Sequence, residues 1–296
     1  MKEAEEIKAL ISLLDDPDSE ILSQVTEKIF SYGSTAIPYL ENAWEITEDE
    51  FLQSRIIALL ETIQEEDIRR ELMEWASSLN LDPLVGAVIL SKARYPDLAE
   101  KEVFDLVEKI RKSAWLELNN ELTALEKIKV LNHVIYSIYG FHADPKTISE
   151  PENHYINTAL SKKSGNPLSL GILYIHLAEK LGMAVVGVNL PEHFVLAYVN
   201  SSSEISFLDK NKVLFYINPF NQGTVFSRNE IEVYLKKMKY PHKEEYFLPC
   251  DSLTVVRLYL MHLILIFKKE NKEEKLEFLK SLVPVLTKKS GESYEE

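Results

Sequence analysis

Three short stretches of the chain hold side chains that could carry out acyl transfer or hydrolysis. Ser169 lies near the start of a predicted helix, and a serine hydroxyl becomes a nucleophile when a base contacts it. His193 heads a predicted strand, where its imidazole could act as that base. Asn218 follows a later strand and could orient the histidine. These residues would suit a hydrolase or amidase that uses Ser169 or a bound water for attack.

Each of these residues also has a purely structural explanation. Asn166 is a strong helix N-cap, and Pro167 suits the first helical position because that amide has no intrahelical partner. Ser169 is then an ordinary polar residue of the first turn. His193 can equally be a hydrogen-bonded histidine at a strand end, and Asn218 a turn residue before a proline. The sequence leaves both interpretations open.

The remaining reactive residue types give no motif. Cys250 is the single cysteine, which excludes a disulfide within the chain and a cysteine-based zinc site. A helix begins just after it and could lower its thiol pKa, but we expect a half-buried, inert thiol. The seven histidines show no metal-ligand spacing, and no glycine-rich phosphate loop is present. We therefore expect neither a metal nor a cofactor.

The elements that position these residues form a mixed pattern after residue 166. The spacing predicts a helix over 167–181, ended by Gly182, and strands at 184–189, 194–199, 205–208 and 213–217. Serines and polar residues between the later strands are typical of hairpin turns. Capping boxes mark helix starts at Thr123 and Ser227, and two helices are predicted over 252–269 and 272–288. The pattern predicts an α+β fold that is mostly helical.

The residues before this core are predicted to be entirely helical. Ser19 is the expected cap of a second helix, and Thr47 with Glu50 forms a capping-box pattern that opens another, followed by a separate helix over 66–79. An offset of 31 residues aligns Val25 with Ile56, a weak internal repeat of helical hairpins. The repeat resembles HEAT-type repeats, which stack pairs of helices.

Composition limits the classes of partner and location. The net charge is −14, and residues 1–80 hold 19 acidic but only 6 basic side chains. Such a surface repels phosphate backbones, so we expect no nucleic-acid partner. The charged N-terminus does not look like a signal peptide, and the longest apolar run, near 255–267, is too short to span a bilayer. We therefore expect a cytoplasmic protein that does not enter a membrane.

A set of short motifs, taken in order, resembles the SirB-type branch of the transglutaminase-like superfamily. The resemblance covers about residues 70–290. The motifs are Tyr139-Gly140-Phe141, Pro151-Glu152-Asn153, Gly165-Asn166-Pro167-Leu168-Ser169-Leu170, Gly187-Val188-Asn189-Leu190-Pro191, His193-Phe194 and Asn218-Pro219-Phe220-Asn221.

The resemblance implies a papain-like core in which a helix packs on a small antiparallel sheet. Active members of the superfamily use a Cys, a His and an Asp in that order. Here the resemblance places the Cys position at Pro167, the His position at His193 and the Asp position at Asn218. Glu192 stands where a glycine is usual. The implied domains are a HEAT-like helical region at 1–65, the transglutaminase-like domain at 66–245 and a C-terminal helical hairpin at 246–296.

Three functions follow as expectations. In the first, the protein is non-catalytic, Pro167, Ser169, His193 and Asn218 are a relic site, and a protein or peptide partner contacts Asn166, Glu192, His193 and Asn221. In the second, it is a hydrolase or amidase with His193 as base. In the third, it is an adaptor whose N-terminal helices capture the partner. We favour the first, because without a thiolate acyl transfer loses its first step.

Overall fold

The computed structural model describes residues 2–143, 150–200 and 213–287. The chain divides into two compact units, Met1–Glu74 and Trp75–Glu296. The helices of the first unit are α1 (Lys2–Ile11), α2 (Ser19–Phe30), α3 (Ile37–Ile46) and α4 (Glu50–Ala76), whose last two residues belong to the second unit. The core of the first unit is built from aliphatic side chains of these helices, among them Ile7, Ile29, Leu40 and Ile56.

Local hydrogen bonds correct three helix boundaries in this region. The cap of α2 is Asp18, not Ser19, because the Asp18 carboxylate accepts from the amides of the first turn. The cap of α4 is Asp49, not Thr47, for the same reason. The predicted separate helix at 66–79 is wrong: α4 continues through Gln64, Glu65 and Glu66, which are good helix formers without a breaker.

The second unit combines helices with one small sheet. Its helices are α5 (Pro83–Ser91), α6 (Glu100–Glu117), α7 (Ala124–Asn132), α8 (Ile156–Lys162), α9 (Pro167–Lys180), α10 (Arg228–Lys237), α11 (Ser252–Lys269) and α12 (Glu273–Leu282). A π-helical segment, His133–Ile138, continues α7. The capping boxes predicted at Thr123 and Ser227 are confirmed. None of the described helices is both long and apolar enough to cross a membrane.

Within the described residues, five strands form one antiparallel sheet in the order β4-β3-β2-β1-β5. They are β1 (Val185–Leu190), β2 (His193–Val199), β3 (Val213–Asn218), β4 (Thr224–Phe226) and β5 (Pro249–Cys250). Three predicted strands are thereby confirmed, while the one predicted at 205–208 and its turns lie outside the described residues. The sequence did not indicate β4 and β5, because two or three residues are too few to show alternation. The predicted fold class, α+β and mostly helical, is confirmed.

One aromatic ring fixes helix α9 against the sheet. Phe194 on β2 lies between Gly171 of α9 and Gly187 of β1, where added Cβ atoms would come within 2.6 Å of the ring. Real Cβ contacts are longer, so only glycine allows the helix and both strands to approach this closely. The packing brings the start of α9 next to the head of β2, where His193 lies.

The predicted three-domain division remains a prediction. Helix α4 runs without interruption through residue 65, and the boundary between the two compact units falls between Glu74 and Trp75 in the chain. The predicted C-terminal helical hairpin corresponds in position to α11 and α12, which contact each other.

Candidate functional site

The first turn of α9 is fully capped. The Asn166 side-chain oxygen accepts hydrogen bonds from the amides of Leu168 and Ser169 at 2.8 and 2.9 Å. Pro167 has no amide hydrogen, and the next amide, that of Leu170, donates to the Asn166 carbonyl. The helix start therefore offers no free amide to an oxyanion, although its dipole points there.

Ser169 faces the protein interior. Its side chain is 1% exposed, and its hydroxyl donates to the Asn166 carbonyl oxygen at 3.2 Å. A Cβ added to Gly165 would lie only 2.5 Å from this hydroxyl oxygen. The backbone of Gly165 therefore packs directly against the Ser169 side chain. The residue lines neither of the two cavities described next. The structure gives the Ser169 oxygen no open path to a substrate.

A cavity of about 420 Å³, here called the α9 cavity, opens at the start of α9. Its polar lining is His154, Asn166, Asn189, Glu192, His193 and His262, and its apolar lining is Pro167, Leu168, Leu190, Phe194, Phe220 and Leu258. Pro167 and His193 thus share one cavity, as the resemblance implies for the nucleophile and base positions. The third predicted position, Asn218, does not line it.

A second cavity, here called the α10 cavity, lies on the other side of His193. It measures about 270 Å³, and its polar lining is His193, Asn218, Asn221, Thr224, Glu230 and Tyr234. His193 is exposed and meets Tyr234 edge-on, with ring centroids 5.4 Å apart. Pro167 therefore lines the α9 cavity and Asn218 the adjoining α10 cavity, while His193 lines both.

Asn218 holds the turn that follows β3. Its side-chain oxygen accepts from the amides of Phe220 and Asn221 at 3.0 and 3.2 Å. In the described part of the chain it makes no hydrogen bond to His193, so the two residues are not arranged as a base and its orienting group. This geometry matches the turn-residue interpretation of Asn218.

Glu192 occupies a strained position at the tip of the β1–β2 hairpin. Leu190 pairs with His193, which leaves Pro191 and Glu192 as a two-residue turn, and Glu192 has φ +61°. A left-handed backbone costs a non-glycine residue about 1–2 kcal/mol, a cost that a glycine would not carry. The turn is held by Tyr234, whose hydroxyl donates to the Pro191 carbonyl at 3.3 Å.

Sequence reasoning missed a pair of histidines in the α9 cavity. The Asn166 amide nitrogen donates to His154 Nδ1 at 3.0 Å, and His262 Nε2 contacts the same nitrogen. Because the Asn166 oxygen is already engaged by the helix amides, its nitrogen is the donor and His154 Nδ1 the acceptor. The sequence held no signal for this pair, whose members are 108 positions apart.

Burial sets the protonation state of His262. Burial, followed by the neighbouring His154 ring, lowers the pKa of His262 to about 4, so this imidazole is neutral at pH 7. Among the described residues, no group of three or more His, Cys, Asp or Glu side chains is arranged to hold a metal ion. His262 is therefore a neutral, polar part of the cavity wall at pH 7.

Cys250 lies apart from both cavities. Burial raises the pKa of its thiol to about 11, so the sulfur stays protonated and the helix that follows does not activate it. The predicted inert, half-buried thiol agrees with this placement.

A hydrogen-bonded clamp fixes the wall that carries Phe220. Asn132, the last residue of α7, donates to the Gly223 carbonyl at 2.8 Å and accepts from the Tyr174 hydroxyl of α9 at 2.8 Å. Tyr136, in the π-helical segment, donates to the Pro219 carbonyl at 2.8 Å. These bonds tie both ends of the 219–223 turn to neighbouring helices and keep the cavity wall in place.

Comparison with known proteins agrees with the fold. A family model described as the transglutaminase-like superfamily matches residues 99–260, which include all the cavity residues except His262. Among solved structures, none matches this chain.

Several curated bacterial proteins are similar to the chain. A "UPF0162 protein" of Vibrio cholerae is 28% identical over 178 residues, which are 59% of this chain and 62% of that protein. The "UPF0162 protein YchA" of Escherichia coli K12 is 26% identical over 199 residues, 66% of this chain and 70% of that protein. A Pasteurella multocida relative is 31% identical over 93 residues, 31% of this chain and 35% of that protein. The chain spans less than two thirds of the first of these relatives.

Proposed function

The chain belongs to the transglutaminase-like superfamily, and from this premise we propose that it is a non-catalytic member that binds a protein or peptide partner in the α9 cavity. The observation that carries the proposal is the pairing of Pro167 with His193 in one cavity. Where active members present a thiol, this cavity presents a pyrrolidine ring, which cannot form an acyl-enzyme.

Two further features support the absence of acyl transfer. An oxyanion intermediate needs hydrogen-bond donors at the site, and the side-chain oxygen of Asn166 occupies the amides of the α9 first turn. The Asn218 side-chain oxygen is engaged by two backbone amides of its own turn and leaves His193 without that orienting group. Nucleophile, oxyanion site and orienting residue thus all depart from the catalytic arrangement.

The shape and lining of the α9 cavity favour binding. An open cavity with apolar walls and a few polar side chains is the usual form of a recognition site for a side chain or small ligand. Phe220 and Leu258 are half-buried and present apolar surface to the opening, while Glu192 and His193 are exposed beside it. A peptide lying across the hairpin tip could insert one side chain into this space.

The absence of catalysis is tested with activity probes. The purified protein is incubated with a cysteine-directed iodoacetamide probe and a serine-directed fluorophosphonate probe, and intact-mass spectrometry records any adduct. We expect no labelling within the α9 cavity. A covalent adduct on any residue that lines the cavity would overturn the non-catalytic assignment.

Binding is tested with fluorescently labelled random hexapeptide pools and fluorescence polarisation. We expect saturable binding by the wild-type protein and its loss in Leu258→Trp, whose indole fills the α9 cavity. The matched control is Phe51→Ser, which removes an exposed aromatic ring of the N-terminal unit and should leave binding unchanged. Loss of binding in the control, with Leu258→Trp unaffected, would instead support the adaptor function of the N-terminal helices.

One observation keeps a hydrolase as the second candidate. His193 is exposed and lines two open cavities, so a water molecule can reach its ring. If the protein hydrolyses an ester or amide in a substrate screen, His193→Ala should abolish turnover while Ser169→Ala leaves it intact. Unaltered turnover in His193→Ala would exclude this candidate.

We also propose a family branch and domain boundaries for the chain. We infer a SirB-type member whose N-terminal helices form a HEAT-like region, with domains at 1–65, 66–245 and 246–296. The motif set, helices α1–α4 and the offset of 31 residues that aligns Val25 with Ile56 support this placement. We further propose that the protein acts in the cytoplasm without a metal or cofactor, and that its partners are neither nucleic acids nor membranes, in keeping with its acidic charge.

A further inference from the structure

We propose that the α9 cavity recognises an arginine side chain of the partner, with the Glu192 carboxylate receiving the guanidinium group. This inference rests on the proposed peptide-binding function and adds the chemistry of the side chain that the cavity takes. It is carried by the charge of the two cavities, their aromatic lining and the position of Glu192 on the hairpin tip.

The charge of the lining favours a cation. Among the described residues, Glu192 is the carboxylate that lines the α9 cavity, Glu230 lines the adjoining α10 cavity, and no Lys or Arg lines either one. Glu192 forms no ion pair with any Lys or Arg of the described residues. Among the histidines that line the α9 cavity, His262 is neutral at pH 7, because burial lowers its pKa to about 4. Among the described residues, a bound cation would therefore meet a carboxylate at the α9 cavity and no Lys or Arg side chain.

The geometry of the rim presents this carboxylate to the opening. Glu192 keeps a left-handed backbone that a glycine would adopt without cost, and two tyrosines hold the turn in place. Tyr234 donates to the Pro191 carbonyl, and hydrogen bonding to Glu192, ahead of partial burial, raises the pKa of the Tyr240 hydroxyl. A carboxylate accepts several hydrogen bonds, so the Tyr240 contact leaves acceptor positions for a guanidinium.

The aromatic lining favours arginine over lysine. A guanidinium is planar, bonds a carboxylate through two parallel N–H groups and stacks flat on aromatic faces, whereas an ammonium is a compact charge with no planar face. The half-buried ring of Phe220 and the exposed ring of His193 line the cavity beside Glu192. A cavity of about 420 Å³ is roomy enough for one long side chain.

The chain itself contains this arrangement elsewhere. The Arg228 guanidinium donates to both Glu244 carboxylate oxygens at 3.0 and 3.1 Å while its Cζ lies 4.1 Å from the centre of the Phe247 ring. A carboxylate on one side and an aromatic face on the other thus hold an arginine on this protein's own surface. We infer the same pairing between Glu192, Phe220 and an incoming arginine.

The test uses fluorescent hexapeptide pools with one fixed position, measured by fluorescence polarisation with the full chain. The fixed residue is arginine, lysine or citrulline, the last being an uncharged analogue of arginine with nearly the same shape. We expect the arginine pools to bind the wild-type protein at least about ten-fold more tightly than the citrulline pools, and more tightly than the lysine pools. Salt should weaken the arginine pools selectively.

Two variants assign the preference to Glu192. Glu192→Gln should bind arginine and citrulline pools about equally, and Glu192→Gly should do the same while relieving the backbone strain, which guards against loss of folding. Glu274→Gln removes the same charge from an exposed residue of α12, which lines neither cavity, and should keep the preference.

The outcomes separate this inference from the proposed function. Equal binding of arginine and citrulline pools to the wild-type protein would refute arginine recognition and leave peptide binding intact. Equal binding of lysine and arginine would refute the stacking argument and with it the choice of arginine. A preference that survives in Glu192→Gln would overturn the role of Glu192. Absence of binding by every pool would overturn the peptide-binding function as well.

Discussion

His262, which is half-buried against His154, makes the stability of the second unit depend on pH. His262 has its pKa lowered to about 4 in the folded protein, against about 6.5 in the unfolded chain. Between these values the unfolded state binds the extra proton, so acidification favours unfolding. Linkage gives a loss of about 2 kcal/mol between pH 7.5 and pH 5 from this one group. The contribution is fully present above about pH 6.5 and falls as the pH decreases toward 4.

The assay is urea unfolding at pH 7.5 and pH 5, followed by the fluorescence of the buried Trp75. The chain has three tryptophans, so Trp44→Phe and Trp115→Phe in the background leave one reporter in the second unit. His262→Gln is the comparison, because a glutamine amide is also polar and can form hydrogen bonds but does not titrate.

The expected result is a double difference of about 2 kcal/mol. The reference protein should lose that much more stability between the two pH values than His262→Gln does. Titrating groups distant from His262 cancel in the comparison. If the two proteins lose stability equally, or the variant loses more, then His262 is not held neutral by its surroundings and the reasoning fails.

Three further predictions concern the start of α9 and its packing. Gly171→Ala should destabilise the fold by about 1–3 kcal/mol in the same urea titration, because its methyl group would meet the Phe194 ring; an unchanged midpoint would refute the close packing. Asn166→Ala should cost about 1–2 kcal/mol through loss of the helix cap, whereas Asn166→Asp keeps an acceptor and should cost less; equal losses would contradict a capping role. Pro167→Cys should introduce a thiol that iodoacetamide labels at pH 7.5 far faster than Cys250, whose pKa is about 11, as peptide mapping would show; equal labelling would mean that the α9 cavity is closed.

Much of the core was predictable because its signals are local. The pattern Asn166-Pro167 specifies a helix start by cap chemistry alone, and the structure has that cap. The strands at 185–190 and 193–199 follow from apolar runs on either side of a short turn. The misplaced caps at Ser19 and Thr47 arose where several capping residues are adjacent, and only the backbone geometry selects Asp18 and Asp49.

The candidate site was predictable only in part. The resemblance indicated that Pro167 and His193 would meet, and the structure brings them into one cavity. It did not indicate that Asn218 would face the adjoining cavity, since a side chain's hydrogen-bond partners depend on the turn it closes. Nor could it indicate that His154 and His262 would join Asn166, because no local pattern links residues so distant in the chain.

The sequence by itself determined the helical and strand periodicity, the capped start of α9 and the presence of a proline, without a nucleophilic side chain, at position 167. These depend on residue type and on neighbours within a few positions, where backbone sterics and local hydrogen bonds act. The tertiary structure decided that Ser169 is buried, that His193 is open to two cavities and that Glu192 lines the α9 cavity without an ion pair among the described residues. Burial and the distances between remote side chains follow from how α9, α11 and the sheet pack, which no local pattern encodes.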